Sequence, residues 1–350
     1  PEKVINLMTF IAEEVREILA KLGYRSLDEV IGRTELLRQV SRGAEHLDDL
    51  DLNPILAKVD APDSARRFSI PTFRNEVPDS LDAQMIHDAR PVFERREKMQ
   101  LTYNVRNTHR AVGTRLSSEI TRLYGMKDLS EGHVHVRLRG SAGQSLGAFL
   151  CQGITLEVFG DANDYVGKGL SGGTIIVRPT VSSPLTSQQN SIIGNTVLYG
   201  ATSGRLFAAG QAGERFAVRN SGAHVVVEGC GSNGLEYMTG GMAVILGKVG
   251  SNFGAGMTGG MAFVLDTERD FVDMANPDSI IWQRLESTYW EDALKALITE
   301  HAEKTDSAWS KSIIEDWDRR RSEFWQICPK EMRTRLSQPL SDHETLEAAE

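Results

Sequence analysis

The sequence predicts a mainly β protein, a right-handed, single-stranded parallel β-helix (a solenoid) with flanking α-helices. Of the 32 glycines, 27 lie between residues 132 and 260. Short apolar runs recur through this segment at a spacing of about 20 residues. Short strands with glycine at the corners are typical of a solenoid, because glycine adopts the positive φ of sharp turns, and parallel crossovers favour the right-handed sense. The runs cover residues 134–138, 154–159, 174–177, 196–199, 216–218, 224–227, 242–246 and 261–265.

The spacing G-x-G-x-x-G occurs three times in the same segment. A dinucleotide site requires this spacing between a strand and a helix, because the helix N-terminus holds the pyrophosphate. Strand-like runs follow the first and third copies, and no helical pattern does. The sequence therefore indicates structural repeat glycines and no cofactor loop. They are Gly167, Gly169, Gly172, Gly229, Gly231, Gly234, Gly254, Gly256 and Gly259.

Helices are predicted before the repeat. Apolar residues at helical spacing over 4–22 predict an amphipathic helix that ends at Gly23, and residues 26–29 form a capping box for a second short helix. Residues 40–79 are predicted to be an irregular connector, because each residue that precedes a proline avoids the helical region. The patterns then predict a helix over 80–99, interrupted by Pro91, a strand over 100–106 and a helix over 117–124.

Two further helices are predicted after the repeat, over 281–301 and 309–328. All five tryptophans lie in this region, and we expect them to serve packing. The expected domains are 1–38, the C-terminal helices of a truncated domain; 39–99, a connector with a helix; 100–268, the glycine-rich β-helix; and 269–350, a helical tail.

The composition argues against several classes of function. The net charge of −9 argues against nucleic-acid binding, and no apolar run is long enough for a membrane span. Cys151, Cys230 and Cys328 are too far apart for a local metal motif or a disulfide framework, so a reducing cytoplasm is expected.

Several residues could carry chemistry, each with a structural alternative. Ser145 lies in a G-x-S-x-G pattern but lacks the strand–turn–helix context of a nucleophile elbow, which favours a turn. His133 and His135 could bind a metal, although the sequence offers no clear third ligand. Carboxylates and cations also lie near the predicted corners, where they could serve a sugar-cleaving groove or bind an anion. They are Asp161, Asp164, Glu228, Glu236, Lys168, Arg205, Arg215 and Lys248.

Three glycine-rich runs, 165–177, 193–204 and 229–241, together resemble the C-terminal β-helix domain of glutamate synthases, with a close match to the bacterial large (α) subunit. Residues 10–17 and 31–37 resemble the end of the family's flavin-binding synthase domain. The resemblance implies a scaffold that joins an amidotransferase domain and an FMN synthase domain of the same polypeptide. FMN and a 3Fe-4S cluster would lie in the part of the polypeptide that is missing here, and FAD in a small partner subunit if the donor is NADPH.

The resemblance transfers no catalytic, cofactor-binding or metal-binding residue to this chain. Glutamine and 2-oxoglutarate, with a reductant, would yield two glutamates elsewhere in the enzyme. Other functions stay open: a carbohydrate-active β-solenoid enzyme, an independent assembly module, or a scaffold in another redox complex such as formylmethanofuran dehydrogenase.

Overall fold

The computed structural model describes residues 2–41, 43–44, 49–58, 60, 62, 64–66, 69 and 79–343. The chain divides into two compact units at residues 77 and 78. Much of the predicted connector over 40–79 and the last seven residues of the predicted tail lie outside the described residues. The expected domain boundaries stay predictions.

The first unit contains the predicted amphipathic helix, α1, over Glu2–Leu22. Gly23 follows it with a φ of +82°, a left-handed conformation that suits glycine after a helix. The predicted second helix is only a 3₁₀ turn over Leu27–Glu29, and the Ser26 side chain makes no cap hydrogen bond. A second 3₁₀ turn covers Thr34–Leu36, and α2 covers Asn53–Leu56.

The second unit contains seven α-helices among its described residues. The predicted helix over 80–99 is two helices, because Pro91 begins a new one. The helices are α3 (Leu81–Asp88), α4 (Arg90–Arg95), α5 (Thr114–Tyr124), α6 (Phe271–Met274), α7 (Thr288–Thr305), α8 (Ala308–Glu315) and α9 (Trp317–Arg320).

Twelve strands form one sheet, in the order β1-β2-β3-β4-β6-β8-β9-β10-β12-β11, with β5 pairing β3 and β7 off this path. Neighbours are parallel from β1 to β10, whereas β12 runs antiparallel to β10 and β11. The strands are β1 (Met99–Val105), β2 (Val134–Ala142), β3 (Ile154–Ala162), β4 (Ser171–Arg178), β5 (Ser191–Ile193), β6 (Ser203–Ala208), β7 (Gln211–Ala212), β8 (Ser221–Val227), β9 (Thr239–Ile245), β10 (Gly259–Leu265), β11 (Ile280–Arg284) and β12 (Phe324–Pro329).

The predicted fold class, a mainly β single-stranded β-helix, is wrong. Helix accounts for 32% of the described residues and strand for 25%, and the strands form one mostly parallel sheet with flanking helices, which resembles an α/β fold. Two of the runs expected as strands, 196–199 and 216–218, are turns. Their aliphatic side chains and Phe216 are buried all the same, and burial is what the hydrophobic pattern reports. Each repeat therefore contributes one long strand to the single sheet.

The sheet has a core on each face, which explains why its strands are nearly continuous apolar runs. Val225 and Val227 pack into a cluster with residues of the turns that link the strands. Val226, between them, points the other way and packs against Leu294 and Ile298 of α7. We call these sides the turn face and the helix face.

The two predicted C-terminal helices are partly wrong. Residues 280–284 and 324–329 are strands, and helix occupies only the segments between them. The predicted packing of the tryptophans is confirmed: Trp290 and Trp317 are buried on the helix face, and Trp282 packs against the turn-face core. Short amphipathic strands of this kind share their composition with helices, so periodicity alone does not separate them.

Candidate functional site

The turns between the strands form a regular ladder with an unusual backbone. In each of six consecutive repeats, three alternate residues have a φ between +53° and +77°. We call these eighteen residues the turn ladder, with a first, second and third position in each repeat. They are residues 145, 147 and 149; 165, 167 and 169; 196, 198 and 200; 215, 217 and 219; 233, 235 and 237; and 252, 254 and 256.

The backbone N–H groups of the turn ladder form hydrogen bonds between repeats, although these residues are not in β-strands. At the second position the N–H donates to the preceding repeat, as from Gly167 to the Leu146 carbonyl at 2.8 Å. At the third position it donates to the following repeat, as from Gly169 to the Tyr199 carbonyl at 2.9 Å. Because buried backbone groups need partners, each repeat holds its neighbours in register through these bonds.

The glycine triplets occupy this ladder unequally. Gly167 and Gly169 of the first triplet, and Gly254 and Gly256 of the third, lie at the second and third positions, where left-handed backbone favours glycine. The middle triplet is out of register with the other two, and neither Gly231 nor Gly234 has a positive φ. The remaining members have other surroundings: Gly172 and Gly259 lie at the starts of β4 and β10, and Gly229 follows β8.

Glycine at the third position also leaves space for an aromatic ring of the preceding repeat. A Cβ atom on Gly169 would lie 2.5 Å from ring carbons of Phe149. Tyr237 covers Gly256 in the same way. Both rings are about half-exposed, so these aromatic residues shield glycine backbone from solvent.

Ser145, for which the sequence favoured a turn over a nucleophile, does not form a site with the histidines in the described structure. Ser145 is a first-position residue of the turn ladder, and its N–H donates to the Asp164 carbonyl. His133 is buried, and its ring contacts the Arg96 carbonyl at 3.1 Å. The His135 Nε2 lies 2.9 Å from Glu157, on the adjacent strand. Among the residues that the structure describes, no three His, Cys, Asp or Glu side chains are arranged to hold a metal.

The predicted carboxylates have structural partners. Asp161 accepts a hydrogen bond from the Ser141 hydroxyl, and Asp164 accepts one from the backbone N–H of Asn195. Glu236 pairs with Arg215 at 3.0 Å. Such local contacts at turn corners stabilise the turns.

The remaining predicted cations also have partners. Arg205 pairs with Glu300 at 2.7 Å, and Lys248 pairs with Glu268 at 2.7 Å. Lys168 lies over the Tyr165 ring. Each cation is bound by its own repeat or by a neighbouring element.

The three cysteines are buried and free. Burial raises the pKa of Cys230 to about 12 and that of Cys328 to about 11. A thiol with such a pKa is protonated and unreactive at neutral pH. The helices of the described residues include none that could cross a membrane.

Glu157 has a perturbed pKa on the helix face, near the β1 edge of the sheet. Burial acts to raise the pKa of this carboxyl, but hydrogen bonds from His135 and Arg137 outweigh that effect and hold it below its usual value. The Arg137 Nε donates to the same oxygen at 3.1 Å. This cluster joins β2 to β3 where α7 does not cover the sheet.

A buried polar network, which sequence reasoning missed, joins the sheet to α7 and α8. Glu228, just after β8, and His301 of α7 are both fully buried, with 3.4 Å between the Glu228 Oε1 and the His301 Nε2. The Ser307 hydroxyl donates to the same oxygen and also accepts from the Ser310 N–H, which caps α8. Glu228 was a candidate carboxylate in the sequence analysis, but Ser307 lies 79 residues away, so the sequence alone did not connect the two. Serine before a helix is a common N-cap, which is the one further signal that the sequence offers at Ser307.

An open cleft of about 530 Å³ lies beside this network. One wall is the polar segment of residues 179–188, which interrupts the repeat. The opposite wall is the α7–α8 junction, with Asp306, Ser307 and Trp309. Arg178, the last residue of β4, lines the cleft and donates to Asp306 at 3.2 Å. The insertion that breaks the sequence repeat thus forms one side of the cleft.

The comparison with known families agrees with this geometry. A family model described as "GXGXG motif" matches residues 82–330. The chain belongs to the GXGXG motif family. The match runs from α3 into the segment after β12, so this GXGXG region contains the whole sheet, the turn ladder and the cleft.

Three relatives carry glutamate synthase names. The chain is 67% identical to "Glutamate synthase [NADPH] large chain" of Azospirillum brasilense over 97% of its length. It is 44% identical to "Ferredoxin-dependent glutamate synthase 2" of Synechocystis over 94%. It is 41% identical to "Glutamate synthase [NADH]" of Schizosaccharomyces pombe over 98%. The chain spans only 22%, 21% and 16% of these relatives, respectively.

Proposed function

We propose that this GXGXG chain is the structural segment of a glutamate synthase large chain. In that enzyme the amide nitrogen of glutamine would be transferred to 2-oxoglutarate, and two electrons and protons would reduce the resulting imine, so that two glutamates form. The segment would hold the amidotransferase and FMN synthase domains together. The observation that carries the proposal is the 67% identity to a glutamate synthase large chain over 97% of this chain.

The relatives' names support a role that all these enzymes share. They specify three electron donors, NADPH, NADH and ferredoxin, yet each aligns with nearly the whole of this chain. A segment common to enzymes with different donors is best explained by a task that does not depend on the donor. We therefore place the choice of donor, and FAD in any small partner subunit, outside this chain.

The contacts of the chemically capable side chains support a structural task. Glu228 accepts a hydrogen bond from Ser307, the cap of α8, Asp164 holds a turn, and Arg205 pairs with α7. The cysteines are buried singly among apolar residues, which is an unsuitable setting for reactive thiolates. FMN and the 3Fe-4S cluster would accordingly be bound by other parts of the large chain.

A chimera tests the proposal. In the Azospirillum brasilense large chain, the matching segment would be replaced by this chain, and glutamine-dependent glutamate formation would be measured with NADPH. We expect activity close to that of the parent enzyme. A deletion of the segment and a chimera carrying Gly241→Val serve as controls, and both should be inactive. A folded chimera without activity, or a fully active deletion, would contradict the proposal.

A further inference from the structure

The cleft beside α8 has features that the structural role does not use. It is open to solvent, and its volume of about 530 Å³ is in the range of small-molecule sites. Three hydroxyl side chains of the insertion line it: Thr180, Thr186 and Ser187. A wall of exposed hydroxyl groups does not contribute to a core, whereas it can donate hydrogen bonds to a polar ligand.

Arg178 is a cationic side chain that lines this cleft, and its contacts hold it in a fixed position. Its side chain is only 17% exposed, and its guanidinium lies over the Phe159 ring at 5.5 Å. One terminal nitrogen donates to Asp306, which also pairs with Lys311. The Nε of Arg178 is buried without a partner in the described structure. The donors that remain for a ligand are therefore on the terminal nitrogens, where Asp306 accounts for only one of the hydrogen bonds that a guanidinium can donate.

The start of α8 adds backbone donors at the same cleft. Ser307 caps the helix by accepting from Ser310, and the N–H groups of Ala308 and Trp309 precede that bond in the first turn. The first N–H groups of a helix have no partner within the helix. Ser307, Ala308 and Trp309 all line the cleft, as does Arg178.

We propose that this cleft binds a small organic anion through its carboxylate or phosphate group. Arg178 supplies the charge, the first turn of α8 supplies backbone N–H donors, and the hydroxyls of the insertion contact the rest of the ligand. The planar guanidinium of arginine suits oxyanions. Asp306 already accepts a hydrogen bond from Arg178, so the bound anion would displace the Asp306 carboxylate or share the guanidinium with it. This site is independent of the proposed structural role.

Calorimetric titration of the chain with inorganic phosphate and with malonate, at constant ionic strength, tests the site. We expect saturable binding with a Kd of about 1 mM for at least one probe. Arg178→Gln should weaken binding about tenfold, because it removes charge-assisted hydrogen bonds. Arg205→Gln is the matched control, since Arg205 pairs with Glu300 and does not line the cleft.

Asp306→Asn provides a test in the opposite direction. Asparagine tolerates the left-handed backbone of this residue, whose φ is +59°. Removal of the competing carboxylate should tighten binding up to about fivefold. Binding of phosphate alone would identify a phosphate ligand, and binding of malonate alone a carboxylate. No saturable binding of either probe, or equal weakening by Arg178→Gln and Arg205→Gln, would overturn the proposal.

Discussion

Gly241 provides the sharpest test of the backbone geometry. It lies in β9 with a φ of +84°, and a Cβ atom there would overlap the carbonyl oxygen of Ala223 in the preceding repeat. Two costs should therefore add in Gly241→Ala. The left-handed backbone costs about 1–2 kcal/mol for a residue with a Cβ, and the close approach adds about 1–3 kcal/mol. The expected loss of unfolding free energy is about 2–5 kcal/mol.

Gly200→Ala is the matched control because it isolates the first cost. Gly200 has a φ of +67°, and a Cβ atom there would meet nothing within 4 Å. We expect this variant to lose only about 1–2 kcal/mol. The assay is urea unfolding followed by circular dichroism, with the midpoint shift converted through a common slope.

The difference in lost unfolding free energy between Gly241→Ala and Gly200→Ala tests the close approach of neighbouring repeats. Equal losses would show that the approach of neighbouring repeats is not tight, and no loss in either would refute the left-handed backbone. Gly241→Val and Gly260→Val should be more damaging still, because a β-branched side chain is poorly tolerated at the positive φ of both glycines.

Three further predictions concern buried and charged groups. Glu228→Ala should cost about 1–3 kcal/mol by leaving His301 and a buried hydroxyl unpaired, and Glu228→Gln should cost less; equal urea midpoints for both variants would contradict this. The pKa of Glu157 is lowered on folding. Its contribution to the free energy of unfolding is therefore present at pH values above its usual pKa of 4.5, and it is lost as the pH falls through the lower pKa of the folded state. Glu157→Gln should therefore flatten the acid limb of a stability–pH profile, and an unchanged slope would oppose the assignment. Cys230, with a pKa of about 12, should resist thiol reagents at pH 8 until the protein unfolds, so labelling of the native protein, detected by peptide mass spectrometry, would count against its burial.

Much of the local structure could be predicted from the sequence. Helix α1 follows from its apolar periodicity, although Leu19 is its one buried residue in the described structure. Strands β2, β3 and β10 follow from apolar runs that are largely buried. The repeat and its glycine corners were also visible, since glycine marks positions of positive φ.

The arrangement of those elements could not be predicted in the same way. Val197, Leu198 and Phe216 are apolar and buried but lie in turns, where every second residue has a positive φ and apolar side chains still point inward. Counting them as strands produced the wrong fold class. Strand β12 pairs with β10 across about 60 residues of sequence, and no local pattern encodes such a pairing.

The candidate site, too, could be predicted only in part from the sequence. Gly167, Gly169, Gly254 and Gly256 of the ladder belong to triplets that the spacing singled out, whereas Gly147 and Gly200 do not, and the different register of the middle triplet did not follow from the spacing. The contacts of Glu228 with His301 and Ser307, and the cleft at Arg178, depend on helices that return to the sheet after more than 70 residues. Such sites come from tertiary packing, which spacing does not report.

We propose that this chain supports a glutamate synthase without supplying catalytic groups. The test is the activity of the large-chain chimera per folded molecule, compared with melting temperature for Ser145→Ala, His301→Gln, Asp161→Asn and Gly241→Ala. We expect activity per folded molecule to stay constant while melting temperature varies, with Gly241→Ala lowest. A variant that keeps the parent melting temperature but loses glutamate formation would show that the segment takes part in the chemistry, and would refute the proposal.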